Sequence, residues 1–300
     1  MDKTAKLLLA DIYLTMGRYS VFLFIVFFYK SYAQDRGTAT YTKGYYQNRH
    51  LFSSSTDYFK VAYRINKKTN LFGSYTFTQI NGQPDAALFN DLNFNATNAI
   101  DIGIVREFSF AGHWTSKVLI NPRLGINKIE NALFEDIVFN SQLLIGKKLN
   151  KNYSISFGLE YGTLFGTPSV YPLFHFEKAF SEKFRLNIGF PESIIEYKIN
   201  NSHAMVLNAE YRSDFSRLHQ LVYQPVSQPM ARYRSLNITR LEIRLQYNYS
   251  FFDKSTVSIS AGKTFFNTSR IAFDNGETVN NDFNNRFIIE MGFKYNLNFK

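Results

Sequence analysis

The chain contains no cysteine, which excludes disulfide bonds and thiolate metal sites. Its five histidines, at positions 50, 113, 175, 203 and 219, lack the close His or carboxylate spacing of a metal site. The sequence also has no phosphate-binding loop and no Gly-x-Ser-x-Gly nucleophile elbow. It therefore predicts no cofactor and no metal, and it offers none of these catalytic motifs.

A concentrated positive patch is also missing, although the formal net charge is +10. The lysines and arginines are spread along the chain, whereas nucleic-acid-binding proteins gather them on one face. We therefore expect no nucleic-acid partner. Long apolar runs are equally scarce, because the longest, residues 19–29, is shorter than the ~20 residues that a transmembrane helix needs.

Residues 19–29 have instead the features of a signal-peptide core. Arg18 supplies the positive flank, and the tripeptide Ser31-Tyr32-Ala33 fits a small-x-small cleavage site. A buried core helix or an uncleaved anchor is the alternative interpretation of this run. We prefer the signal peptide, since all three of its regions are present in the right order.

This interpretation sets the expected domain boundaries. Residues 1–33 form the predicted signal peptide, and residues 34–300 form one domain. The charged segment before the apolar run is unusually long, which suggests that Met16 is the true start. Export would then deliver a mature chain that has no later apolar run of transmembrane-helix length.

The remaining chain is rich in aromatic residues, with 31 Phe and 20 Tyr. In its last segment, RFIIEMGFKYNLNF, every odd position from Phe287 to Phe299 is apolar and the even positions are largely polar. Similar alternation recurs at residues 59–65, 153–161 and 241–249. This period of two predicts β-strands, and the final one exceeds the usual strand length of about 5 or 6 residues.

The connections between the predicted strands alternate in length. Short polar connections lie at residues 65–70, 147–152, 180–183, 199–202 and 251–255, and long ones at 81–97, 126–136, 214–236 and 267–284. Tight turns at one end and longer loops at the other are typical of outer-membrane barrels. The sequence therefore predicts an all-β fold, a closed antiparallel transmembrane β-barrel of about 14 strands, or alternatively 12. A secreted soluble β-protein is the competing fold.

The polar faces of the predicted strands identify candidate lumen-lining residues, in which basic side chains outnumber acidic ones. They are Lys60, Arg64, Arg123, Glu160, Arg185, Glu210, Arg240, Glu242, Arg244, Arg286, Glu290 and Lys294. A positive lumen would favour anions. On this view, replacing Arg240 and Arg244 by Gln weakens anion preference without unfolding the barrel. The loop predicted at 214–236 either folds inward as a constriction or stays outside.

A catalytic role has little support in the sequence. Ser202 and His203 are adjacent, so a strand would point their side chains to opposite faces. His175 and Glu177 share a face and could form a base and its orienting carboxylate, although lumen filling explains such a pair equally well. We therefore expect a protein that is not an enzyme, with lipid hydrolysis as the residual alternative.

Three stretches resemble a family of Bacteroidota outer-membrane β-barrel proteins, DUF6268, whose function is unknown. They are INPRLGI, the run from DIVFNSQLLIGKK to YPLFHFE, and KFRLNIGFP, and the resemblance continues more weakly to the final strand. It implies an outer-membrane barrel and no established activity, so it assigns no functional residues.

Fold and resemblance together predict a passive pore or small-solute transporter in the outer membrane of a Gram-negative bacterium. A structural or adhesive barrel acting through its outer loops is the alternative, and a lipid-modifying enzyme is the second. The expected partners are outer-membrane lipid and, through the aromatic C-terminal strand, the barrel-assembly machinery.

Overall fold

The computed structural model describes residues 36–47, 53–81, 96–127, 132–222, 231–251, 254–274 and 276–298. The predicted signal peptide and its cleavage site lie outside these ranges. Within them, the helical segments are two 3₁₀ turns, at Ala111–His113 and Phe134–Asp136. No helix in the described ranges is long and apolar enough to cross a membrane.

The described residues are mainly β-strand. The fifteen strands are β1 Arg36–Gln47, β2 Ser53–Asn66, β3 Thr69–Asn81, β4 Ala96–Ser109, β5 Trp114–Ile126, β6 Ile137–Lys148, β7 Tyr153–Gly162, β8 Ser169–Ala179, β9 Phe184–Phe190, β10 Glu192–Lys198, β11 His203–Val222, β12 Ala231–Phe251, β13 Ser255–Phe273, β14 Thr278–Phe283 and β15 Phe287–Asn298.

These strands form one antiparallel sheet that closes on itself. Each strand from β1 to β13 hydrogen-bonds to the next along the chain, and β15 pairs with both β13 and β1. Strand β14 pairs with the far end of β13. Strands β14 and β15 therefore share one strand position of the barrel wall, and we call each such position a stave. The fifteen strands thus make a closed barrel of fourteen staves, which confirms the predicted fold and excludes a two-sheet sandwich.

Thr264 spans the break in this last stave. Its N–H donates to the carbonyl oxygen of Arg286 at 2.8 Å, and its hydroxyl oxygen accepts from the N–H of Arg286 at 2.9 Å. The backbone groups freed by the break therefore keep hydrogen-bond partners.

The two ends of the barrel differ. At one, the turn end, strands are joined by the short segments after Asn66, Lys148, Ala179 and Lys198, as the sequence predicts. At the other, the loop end, two of the predicted long loops are largely wrong. Strands β11 and β12 occupy all of 214–236 except residues 223–230, which lie outside the described ranges. Strands β13 and β14 occupy 267–284 except for the connection 274–277 and the first residue of the break.

The alternation rule fails at the loop end for a physical reason. It requires one face that is apolar throughout, and residues 278–282, Thr-Val-Asn-Asn-Asp, have Val279 as their single apolar side chain although they are strand. Where a strand extends beyond the apolar environment into water, both of its faces can have polar side chains. The sequence pattern therefore marks only the part of each strand next to the apolar belt.

An apolar belt covers the outside of the barrel. Ile102, Phe157 and Val170, on three different strands, are 59%, 55% and 63% exposed. Outward side chains of the other strands are similar, including Phe139, Leu245, Ile259 and Met291. A soluble monomer would not be expected to expose so many apolar side chains, because such proteins rarely have contiguous apolar surface patches larger than a few hundred Å².

Aromatic rings and basic side chains meet on the outside of the turn end. The ammonium of Lys147 lies 5.1 Å from the ring centre of Trp114, and that of Lys178 lies 4.9 Å from Tyr153. Such pairs suit a membrane–water interface, where rings contact lipid and charged tips stay hydrated.

Candidate functional site in the barrel lumen

The inward faces of the strands change character along the barrel axis, and β12 shows the order most clearly. Going from the loop end to the turn end, its inward side chains are Leu236, Ile238, Arg240, Glu242, Arg244, Gln246, Asn248 and Ser250. The lumen on this side thus has an apolar zone, a charged zone and a neutral polar zone.

The apolar zone is a packed cluster. Leu218, Leu236, Ile271 and Phe273 are buried against one another, and Ile238 and Val279 pack on them. These residues come from β11, β12, β13 and β14, and we refer to them as the apolar plug. Its four central members are at most 6% exposed, so they pack closely on the inner side of this wall.

The charged zone is a network of four acidic and three basic side chains around Glu242. Arg240 Nε lies 2.6 Å from Glu242 Oε1, and Arg244 Nε and Arg212 Nη1 lie 3.4 and 3.6 Å from Glu242 Oε2. The same arginines bind further carboxylates. Arg240 pairs with Asp214 at 2.5 Å, Arg244 with Glu210 and Glu290 at 3.0 Å each, and Arg212 with Glu210 at 2.8 Å.

This network reaches across several staves. Small residues on β13, Ser260 and Gly262, leave room for Arg244 to extend from β12 to Glu290 on β15. Arg240 reaches as far as β1, where its guanidinium lies 4.8 Å from the ring centre of Tyr46. Glu242 is fully buried, so its charge is compensated by the arginines and not by water.

A smaller network lies on the opposite wall. The carboxylate of Asp101 accepts from Ser74 Oγ and Asn121 Nδ2, each at 3.2 Å, and lies 3.9 Å from Arg123 Nη1. The ammonium of Lys60 lies 4.6 Å from the ring centre of Phe72. These contacts occupy the inner faces of β2 to β5.

The loop end is narrowed further by contact between β5 and β11. Strand β6 pairs with β5 only as far as Leu124, and β10 ends beside Glu210, so both β5 and β11 have free edges above these points. Those edges meet in parallel, where the N–H of Asn127 donates to the carbonyl oxygen of Arg217 at 3.3 Å. At Gly125 a Cβ atom would collide with the backbone of Phe215, so the approach needs glycine there.

The connection between β7 and β8 braces this region. The carbonyl oxygen of Thr163 accepts from Ser213 Oγ at 2.8 Å, and Phe165 packs against Phe190 and Tyr211. Ser213 and Tyr211 alternate with Arg212 along β11, so the brace lies on the face opposite the charged network. It fills the step above the short β9–β10 hairpin.

The neutral polar zone opens into two cavities at the turn end, which together we call the vestibule. One, of about 840 Å³, is lined by hydroxyl and amide side chains of β1, β12 and β13, including Thr40, Ser258 and Asn248, and by Lys198 and Lys294. The other, of about 420 Å³, is lined by Lys148, Lys151, Arg185 and Glu177. Glu196 lines both cavities.

The sequence-predicted lumen residues fall into distinct environments. Five of them, Glu210, Arg240, Glu242, Arg244 and Glu290, meet in the charged network. Arg123 and Lys60 belong to the opposite wall, and Glu160 accepts from Gln142 Nε2 at 3.4 Å. Arg185 and Lys294 line the vestibule, Arg64 lies exposed near the turn end, and Arg286 is buried at the break in the last stave.

Several partners in these networks were not among the predicted residues. Asp214 fell in a segment taken for a loop, and Asp101 and Tyr46 lie in strands whose polar face was not singled out. The signal that could have found Asp101 is the alternation of Ile100, Ile102 and Ile104 around it, which marks its face as polar.

The described ranges contain few side chains arranged for catalysis or metal binding. No group of three or more His, Asp or Glu residues there could hold a metal ion. His175 and Glu177 share one strand face, and the Glu177 carboxylate accepts from Ser154 Oγ at 3.0 Å. His203, beside Ser202, lies 2.5 Å through Nδ1 from the Tyr247 hydroxyl oxygen.

Comparison with known proteins gives one family and several distant structures. A family model described as Domain of unknown function (DUF6268) matches residues 64–299. A search of curated proteins found no match. Among solved structures, the NanC porin is similar at 10% identity and a TM-score of 0.42, covering 86% of this chain and 100% of its own.

Two other solved structures are similar at the same level. The KdgM porin has 7% identity and a TM-score of 0.38, with 86% of this chain and 98% of its own covered. The TodX deltaS2S3 mutant monoaromatic hydrocarbon channel has 8% identity and a TM-score of 0.39, with 88% and 89% covered. Likenesses this distant transfer no function to the chain.

Proposed function

The chain belongs to the DUF6268 family, and from that premise we propose that it is an outer-membrane channel for small polar solutes, closed in this conformation by the apolar plug. One observation carries the proposal, namely that an apolar belt surrounds a polar lumen. The belt suits lipid, and the vestibule offers a water-filled entrance. The Bacteroidota origin that the resemblance implies stays a prediction.

The orientation of the channel follows from its ends. Outer-membrane barrels have short turns on the periplasmic side and longer connections outside. The turn end would therefore face the periplasm, which places the vestibule there and the apolar plug towards the exterior. Outer-membrane lipid and the barrel-assembly machinery are the partners that this location requires.

The plug has the features of a hydrophobic gate. Apolar constrictions block ions because water leaves them, and polar substitution rehydrates them. Below the plug, three arginines share four carboxylates, so displaced partners could re-pair within the lumen. Opening would need the plug side chains to separate, which a passive channel can achieve by thermal motion.

The test is single-channel recording of the refolded mature chain in a planar bilayer. We expect rare openings of the wild-type protein and an open probability at least ~10-fold higher for Leu236→Ser with Phe273→Ser, because these changes hydrate the plug. Leu133→Ser with Phe134→Ser is the matched control, since these exposed residues at the same end lie outside the lumen.

The alternatives give different results. A structural or adhesive barrel would conduct in neither variant, and that outcome would refute the channel. A lipid-modifying enzyme would hydrolyse phospholipid in detergent micelles, with His175 and Glu177 as the residues to replace. We expect no hydrolysis, in keeping with the prediction that the protein is not an enzyme.

A further inference from the structure

Two groups of basic residues in the lumen differ in their ion pairing. In the charged zone, Arg212, Arg240 and Arg244 each lie within 3.6 Å of a carboxylate. In the vestibule, Lys148, Lys151, Arg185, Lys198 and Lys294 form no ion pair with any described residue. The five vestibule side chains therefore carry positive charge that no described ion pair neutralises.

Acidic side chains in the vestibule do not balance this charge. Glu177 and Glu196 line its two cavities. Glu290 lies at the inner limit of the larger cavity, but its carboxylate already binds Arg244 at 3.0 Å. Two carboxylates without a described ion pair thus face at least five basic side chains, and the low-dielectric wall focuses the resulting positive field into the cavity.

Neutral hydrogen-bonding groups complete the lining. Thr40 and Thr42 on β1, Thr256 and Ser258 on β13, and Asn248 on β12 all border the larger cavity. Hydroxyl and amide groups can donate to the oxygens of a ligand as well as accept from it. The cavity therefore combines charge for an anion with donors for several oxygen atoms.

From these observations we infer that the vestibule is a binding site for small multivalent oxyanions, of the phosphate or polycarboxylate class, that enter from the turn end. Lys198 and Lys294 both line the larger cavity, so the anion would be held there by their charges and by the neighbouring hydroxyl groups. The inference deepens the proposed channel by naming its solute class, and it rests on that proposal for its role.

Binding is tested without conduction, so that the two proposals can fail separately. We would titrate inorganic pyrophosphate into the refolded mature chain in non-ionic detergent micelles and follow the heat released. Lys198→Gln with Lys294→Gln should weaken binding by at least about tenfold, because two of the charges in the cavity are lost. Lys67→Gln with Lys68→Gln is the matched control, which removes the same charge from an exposed turn at the same end.

Three results would overturn the inference: absence of pyrophosphate binding to the wild-type chain, equal binding by the vestibule variant, or an equal loss in the turn control. The single variants Lys198→Gln and Lys294→Gln, each with an intermediate loss, confirm the site if the double variant refolds poorly. Raising the salt from 0.1 to 1 M should also weaken binding, since the screening length falls from about 10 to about 3 Å.

Discussion

At the scale of single residues, Glu242 is the centre of the charged network. Three arginines from two strands surround its carboxylate, and none of its surface reaches water. A buried charge is tolerated only when partners replace its hydration, so each of these arginines supports the folded barrel as well as lining it. This changes what substitution at Arg240 and Arg244 should do.

We predict that Arg240→Gln with Arg244→Gln destabilises the barrel by about 3–5 kcal/mol, because Glu242 would keep only Arg212, at 3.6 Å. Urea titrations of the protein folded into lipid vesicles would measure the loss. Lys198→Gln with Lys294→Gln removes the same charge from the wet vestibule and should cost under about 1 kcal/mol. Equal stability of both variants would mean that the network is solvated.

At the scale of elements, β12 combines three functions in one strand. From the loop end to the turn end, its inward side chains belong to the apolar plug, then to the charged network, and then to the vestibule lining. Ile243, Leu245 and Tyr247 point outward into the apolar belt. Neighbouring residues on this strand therefore face different environments, the apolar belt on one side and the polar lumen on the other. A substitution that is harmless at one position should be costly at the next.

Arginine placed at Leu245 should cost about 2–4 kcal/mol if this side chain faces the middle of a bilayer. Arginine at Gln246, one residue further, should cost much less because that position borders the vestibule. Folding titrations into vesicles would compare them. Glu290 cannot serve as the polar-face control, because arginine there would lie beside Arg244. Similar costs at positions 245 and 246 would contradict the membrane assignment.

The sequence predicts those parts of the strands in which one face is apolar and the other is polar. Alternation at 153–161 and 241–249 marks β7 and β12, and parity of turns and loops gives fourteen staves. The partners of each charge were not predictable. The alternation of apolar and polar residues predicts which face of the sheet Arg244 occupies, but not its position along the barrel axis. Its partner Glu290 lies 46 residues away in the sequence, with β13 between their two strands.

At the scale of the whole molecule, charge separates the two ends of the lumen. The charged zone has four carboxylates for three arginines, whereas basic side chains outnumber acidic ones in the vestibule at the turn end. We therefore expect the anion preference, which was predicted from the candidate lumen-lining residues, to arise at one entrance and not along the full length of the barrel. We expect delivery of this barrel to its membrane to depend on the N-terminal segment, and this expectation gives the remaining prediction.

We expect export to remove residues 1–33, leaving Gln34 as the first residue of the membrane-extracted protein. N-terminal sequencing would identify the cut. Ala33→Leu should block cleavage because the site requires a small residue, whereas Tyr32→Leu leaves both small positions intact and should be processed normally. Membrane-extracted protein that retains residues 19–29 would contradict the signal peptide.

The pairing of β1 with β15 has a consequence for the order of assembly. Most neighbouring strands are joined by a short connection, so their pairing can form locally while the chain is still being delivered. The seam from Gly37–Leu297 to Gln47–Phe287 instead joins segments separated by nearly the whole sequence. Until it forms, β1 and β15 each present an open edge that could pair with another chain. Completion of the barrel is therefore a single late event, and any factor that shields these two edges would control its yield.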